Sequence, residues 1–364
     1  MDPSKKSRRL RIALTLGGCG ALALACVHML HAQAGPDQPD MTIDAATRKA
    51  VVDAAVANLD RAYVFPAMAA QLHRQLEARV ANGDFNRITS AAQFADALTD
   101  ALREVSHDRH LEVRYMAEAV PERPANAGPS PQEQAQERIE QVRFNYGVSS
   151  VGRLQGNLGY IDLHQFGRPD GAAPRIAAAM SLLRDTQALV VDLRHCGGGD
   201  PDTVMKFASY LFDRPTHLND IYWRDQNRTE VRWTQPVTNG LAYGEKRAVY
   251  LLTSPDTFSG CEDLAYALKN AHRATLVGQT TGGGAHAGDP HRLTAHFMMF
   301  VPSGRPINPV THTDWEGTGV TPDVATSSGK ALERAQILAL KDLAAREADP
   351  DWKAKLQERI GELE

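Results

Sequence analysis

The chain predicts an α/β fold in which a mostly parallel sheet follows an N-terminal helical domain. Three observations carry that expectation. From Gly156 onward, short apolar runs alternate with segments of helical spacing, the grammar of repeated β-α-β units. Among these runs, residues 188–193 (ALVVDL) are continuously apolar, as a strand covered on both faces must be. Residues 41–115, by contrast, repeat their apolar positions at three- and four-residue steps. A chain of 364 residues that is 43% hydrophobic and 23% charged can bury such a core, and disorder is excluded as its general state.

Taken in order, the first element is a leader. Lys5, Lys6, Arg8, Arg9 and Arg11 precede an apolar run over residues 12–30, and Ala32-Gln33-Ala34 offers a small-x-small cleavage site. Residues 1–34 therefore read as a signal peptide, and the mature protein as exported, in the periplasm or another extracytoplasmic space. Two alternatives stand beside it: a retained membrane anchor formed by residues 12–30, and lipoprotein processing at Cys19. Removing the leader's five positive charges and its single Asp2 takes the formal charge from −4 to −8. That balance argues against nucleic acid as a partner, because phosphate recognition needs a basic face. Membrane contact is expected only through the leader.

Residues 35–115 form the helical domain. Ile43, Val51, Val52, Ala55, Val56 and Leu59 share one face, and two more helices are expected over 67–81 and 90–105. Those faces are too small to make a core alone, so they dock on something larger. Residues 116–147 read as a linker or mobile loop, rich in Pro, Ala, Gly, Gln and Glu at their start. Residues 148–330 carry the sheet, with strands over 158–163, 188–193, 249–252, 274–278, 296–301 and 319–324. Residues 331–364 read as a charged, peripheral helical extension.

Two loops lie at carboxyl ends of predicted parallel strands, where ligands collect in such sheets. One is Asp192-Leu-Arg-His-Cys-Gly-Gly-Gly199, whose glycines allow backbone amides to approach a bound group closely. The other is Thr253-Ser-Pro-Asp-Thr-Phe-Ser-Gly260, which opens a helix over 259–271. A serine at that helix start sits where free N–H groups favour developing negative charge. Ser259-x-x-Glu262 is equally the pattern of a capping box, and a capping serine needs no catalytic role. The spacing alone leaves both readings open.

The order of the segments resembles a known family. LVVDLRHCGGG, then YLLTSPDTFSGCEDLAYALKNAHRATLVGQTTGGGAH, then TDWEGTGVTPDV resemble the corresponding elements of the S41 serine peptidases. SHDRHL at the end of the helical region is similar to the family's Asp-Gly-His-like element. The likeness runs over roughly residues 42–330. It implies a crotonase/ClpP-like catalytic core beside the helical domain, no cofactor, and a peptide or protein substrate. It further implies Ser259 as nucleophile, His110 as general base, Glu316 as the carboxylate linked to them, and the amides of Gly198, Gly199 and Gly260 as oxyanion hole.

One departure sorts the branch. The C-terminal processing members use a lysine base in the second glycine loop; here that loop, Thr280-Thr-Gly-Gly-Gly-Ala-His-Ala-Gly288, has no lysine. Nor is a PDZ-like module legible. The pattern is therefore closest to the tricorn-core and interphotoreceptor-retinoid-binding-protein-like branch, with His286 as a further substrate contact. Relatives of the latter kind keep a second function class in view, a hydrophobic-ligand binder without turnover; an esterase is a third. No HExxH or CxxC spacing points to a metal. Cys196 and Cys261 fall on the two converging loops, and a disulfide between them stands against two buried thiols.

Overall fold

A computed structural model describes residues 38–123, 128–237 and 242–364. The leader expected over 1–34 lies outside the described residues. Among the described residues, no helix is long and apolar enough to cross a membrane.

Three helices open the fold, each with a start signal in the sequence. In α1 (Ala45–Ala62), Asp44 accepts from the Thr47 N–H at 2.7 Å; α2 (Pro66–Asn82) has proline at its first position and ends on Gly83 at φ 77°. In α3 (Ala91–Ser106), Ser90 accepts from Gln93 N–H at 3.1 Å. Their inward side chains, Leu59, Leu72, Phe94 and Leu98 among them, share one cluster with Phe297, Met299 and Val301. Fully burying one such side chain contributes about 2 kcal/mol, against about 1 for a cap, so docking decides this layer.

The surface they dock on is an antiparallel sheet. It runs β1 (Glu112–Tyr115), β10 (Phe297–Ile307), β5 (Asp220–Trp223), β6 (Arg228–Glu230), with β9 (Ala287–Thr294) also paired to β10.

The second sheet has six strands. Its order is β11 (Val324–Ala325), β8 (Thr275–Gly278), β7 (Ala248–Thr253), β4 (Ala188–Asp192), β3 (Leu158–Leu163), β2 (Val148–Leu154). The pairs from β11 to β3 are parallel and β2 returns antiparallel. In β4, Leu189 and Val191 face one layer, formed by α5 (Pro169–Leu182), α6 (Pro201–Ser209) and α7 (Gly260–Asn270). Ala188 and Val190 face the opposite layer, formed by α8 (Ser328–Arg346) and α9 (Pro350–Leu363). That two-sided burial is why the strand reads as an unbroken apolar run.

Three expectations need correction. The 116–147 stretch is not only linker, because it contains the helix α4 (Pro131–Arg143). Ser130 and Glu133 form a capping box there, with Ser130 N–H to Glu133 Oε2 at 2.7 Å. Residues 331–364 are not peripheral: Ala335, Leu340, Leu343, Leu356 and Ile360 are buried on the sheet face. The strand expected over 319–324 narrows to Val324–Ala325.

Candidate functional site

β4 and β7 are neighbours, so the loops leaving their carboxyl ends meet. Ser259 lies where the β7 loop turns into α7, at φ 51° and ψ −122°. A non-glycine residue there is strained, and such strain concentrates where a side chain must be presented on a tight strand-to-helix turn. The neighbouring chain leaves no slack. A Cβ on Gly198 would come within 2.9 Å of Ser259 Cβ, and one on Gly260 within 3.0 Å of the Gly199 carbonyl oxygen. Only glycines let these two backbones approach so closely.

The serine also opens a capping box with Glu262, whose N–H donates to the Ser259 carbonyl oxygen at 2.8 Å. The glutamate does the reverse work: its Oε2 accepts from Ser259 N–H at 2.9 Å and from Gly284 N–H at 2.8 Å. Its Oε1 accepts from Gly283 N–H at 2.7 Å and from the Thr281 hydroxyl. Glu262 is fully buried, and burial pushes its carboxyl up to about 7 despite these donors. The sequence showed it only as half of a cap; here it ties the serine turn to the second glycine loop.

Among the expected oxyanion donors, Gly198 is spoken for. Its N–H donates to Cys261 Sγ at 3.1 Å. Phe166 pairs with the Gly198 carbonyl and the Asp200 N–H, so the intervening Gly199 amide points away from that ladder. Gly260 is the first residue of α7, with an amide free of any intrahelical acceptor. Gly199 and Gly260 thus present the two amides beside Ser259. Cys196 and Cys261 are joined, S–S 1.98 Å, with both residues fully buried.

The histidines divide differently from expectation. His110 is 1% exposed, its ring over Phe258 (centroids 4.8 Å) and near Phe300 (5.9 Å), with no hydrogen-bond partner for either ring nitrogen. Burial pulls it down to about 4, against the pull of Asp108, whose Oδ1 lies 3.9 Å from its Nδ1. His286 instead pairs directly with Asp108, Nδ1 to Oδ2 at 2.7 Å, and Tyr63 donates to the same oxygen at 3.0 Å. Burial disfavours the His286 charge, but the bond to Asp108 and that carboxylate's field outweigh it and raise the histidine.

Glu316, expected beside His110, is tied to His286. Its Oε2 is 3.5 Å from His286 Nδ1 and accepts from Ala285 N–H at 2.5 Å and His286 N–H at 3.2 Å. No ion pair links it to His110. Burial, then the Asp108 charge, lift Glu316 to about 7. The ligand atoms of Asp108, His286 and Glu316 lie within 4.8 Å of one another, a set able to hold a cation; here the histidine nitrogen bridges the two carboxylates.

Beside Ser259 opens a small cleft of about 60 Å³, lined by Gly199, Gly260, Ile221, Ala285, Asp263 and Trp315, among others. Ile221 and Asp263 carried no sequence signal, since one comes from a four-residue strand and the other reads as a helix-start charge.

Family models match both parts of the chain. "Peptidase family S41" matches residues 157–326, and "N-terminal domain of Peptidase_S41 in eukaryotic IRBP" matches residues 44–149. The chain is 30% identical over 190 residues to carboxyl-terminal-processing peptidase 2, chloroplastic, of Arabidopsis thaliana. That match takes in 50% of this chain and 36% of the relative, so the chain spans about a third of that relative's length. Among solved structures, a lipoprotein from Streptococcus agalactiae superposes with TM-score 0.51 at 12% identity, over 81% of this chain and 96% of that one. The tricorn protease superposes with TM-score 0.50 at 12% identity, over 87% of this chain and 37% of that one. These structures speak to the fold alone. With both the N-terminal and the sheet-bearing segments matched in order, the chain belongs to peptidase family S41.

Proposed function

We propose that this protein is an exported serine-type peptidase that cleaves peptide bonds through Ser259. The observation that carries the reading is the strained Ser259 turn, φ 51° and ψ −122°, set at a helix start against two glycine amides. In this reading Ser259 Oγ attacks the scissile carbonyl carbon while His110 accepts the hydroxyl proton. The Gly199 and Gly260 amides bind the oxyanion, helped by the positive end of α7. His110 then gives its proton to the leaving amine, and water, deprotonated by the same imidazole, releases the acyl group.

The electrostatics support a division between the histidines. His110, buried and pulled down to about 4, is neutral at neutral pH and able to accept a proton. His286 is raised by its bond to Asp108, which favours its charged form between the Asp108 and Glu316 carboxylates. Asp108 then faces His110 and steadies the imidazolium that forms. Glu316 acts at one remove, by holding Ala285 and His286 in the second glycine loop. Export is supported by the leader-like residues 1–34 and by the disulfide, which persists in oxidising compartments.

The test is cleavage of a broad peptide library by wild type and by Ser259→Ala. Wild type should cleave, and the variant should lose about three orders of magnitude or more in kcat. Undiminished cleavage by the variant would refute the assignment; turnover of esters but not peptides would move it to an esterase. The acid limb of kcat/KM should fall nearer pH 4 than the ordinary histidine range, following the His110 value of about 4.

A further inference from the structure

The Cys196–Cys261 bond joins the two loops at the point where the proposed oxyanion amides arise. Cys196 lies three residues before Gly199, and Cys261 follows Gly260 directly. Several other ties hold the outer parts of these loops together. Phe258 N–H donates to the Cys196 carbonyl at 2.9 Å, Thr257 Oγ1 to the Leu193 carbonyl at 2.7 Å, and Ser254 Oγ to the Arg194 carbonyl at 2.5 Å. Beyond Cys196 the loop is three glycines, with Gly198 at φ 122° and Gly199 at φ 138°. Bonds from Gly197 N–H to the His164 carbonyl (3.1 Å), Phe166 N–H to the Gly198 carbonyl (2.8 Å) and Asp200 N–H to the Phe166 carbonyl (2.8 Å) orient these glycines against the end of β3, so where the Gly199 amide lies relative to Gly260 depends on what ties this loop to the Ser259 turn. The disulfide is the covalent link nearest to it, and the Gly198 N–H is itself oriented by Cys261 Sγ at 3.1 Å.

From this we infer that the Cys196–Cys261 disulfide is a positioning element for acyl transfer, holding the Gly198–Gly199 backbone so that the Gly199 and Gly260 amides converge on one oxyanion. The inference rests on the proposed Ser259 chemistry. It separates from a purely structural bond because misaimed amides weaken binding of the tetrahedral state and leave ground-state binding alone.

The experiment compares three forms of the full chain: oxidised wild type, Cys196→Ala/Cys261→Ala, and wild type made and kept under reducing conditions. The state of Cys196 and Cys261 is read by peptide mass spectrometry. Measured are kcat and KM on one peptide substrate, and inhibition by a peptide boronic acid of the same sequence, whose serine adduct is tetrahedral. Both disulfide-free forms should fold, lose about tenfold or more in kcat and in boronate affinity, and keep KM within about twofold. Oxidised glutathione, taking two electrons and two protons from the thiols of reduced wild type, should restore both. Folded disulfide-free forms with wild-type kcat and boronate affinity would overturn the inference, as would a change confined to KM. Failure of both forms to fold would make the bond a folding element and overturn it equally. Absence of Ser259-dependent turnover in oxidised wild type would instead sink the functional reading, and this inference with it.

Discussion

Two imidazoles face different oxygens of the Asp108 carboxylate, His110 pulled down by burial and His286 raised by its bond to Asp108. His110 touches Asp108 only at 3.9 Å and is enclosed by Phe258 and Phe300, whereas His286 bonds it at 2.7 Å. The difference has a consequence for stability. The His110 value lies below its unfolded one, so the stability it contributes is complete above pH 6.5 and is lost as pH falls toward about 4. Its full size is at most about 3 kcal/mol. Glu262 and Glu316 act with opposite sign: raised to about 7, they contribute stability that is complete below 4.5 and lost as pH rises through 7. Replacing His110 by Gln should therefore flatten the loss of stability between pH 6.5 and 4, measured by urea unfolding at stepped pH. Parallel curves for wild type and variant would contradict the buried neutral state. The same variant should lose about a hundredfold or more in kcat if the imidazole is the base.

Among the elements, those whose own sequence decides them were legible. The helices expected over 67–81 and 90–105, and the strand expected over 188–193, follow from apolar spacing and two-sided burial, and the fold has them at Pro66–Asn82, Ala91–Ser106 and Ala188–Asp192. What was not legible depended on partners distant in sequence. The strands Asp220–Trp223 and Arg228–Glu230 are short, and only pairing of the first with β10 and of the second with the first defines them. The charged look of residues 331–364 hid a stripe of alanines and leucines that closes one face of the sheet. That stripe makes a definite prediction. Leu340 is fully buried, so Leu340→Ala should cost about 2–5 kcal/mol in urea unfolding, whereas a peripheral extension would cost under about 0.5.

At the scale of the molecule, the helical region and the antiparallel sheet share one core, and the parallel sheet supplies two others. His110 and Asp108 enter from the first, Ser259 and the glycine loops from the second. Cross-contacts hold them in register, such as Arg109 Nη1 to the Gly282 carbonyl at 2.6 Å. The site's members were legible as motifs, but their pairing was not. Glu316 reads from sequence as the partner of His110, yet the fold of the second glycine loop delivers His286 to it instead. Glu262, read only as a cap, binds four donors that join the loops.

The proposed chemistry turns on the reactivity of one hydroxyl, that of Ser259. The most direct measurement is to treat the folded protein with a fluorophosphonate and locate the adduct by peptide mass spectrometry. A single stoichiometric adduct on Ser259 is expected, absent after denaturation before labelling. An unmodified Ser259 in folded protein, or an adduct on another serine, would contradict it.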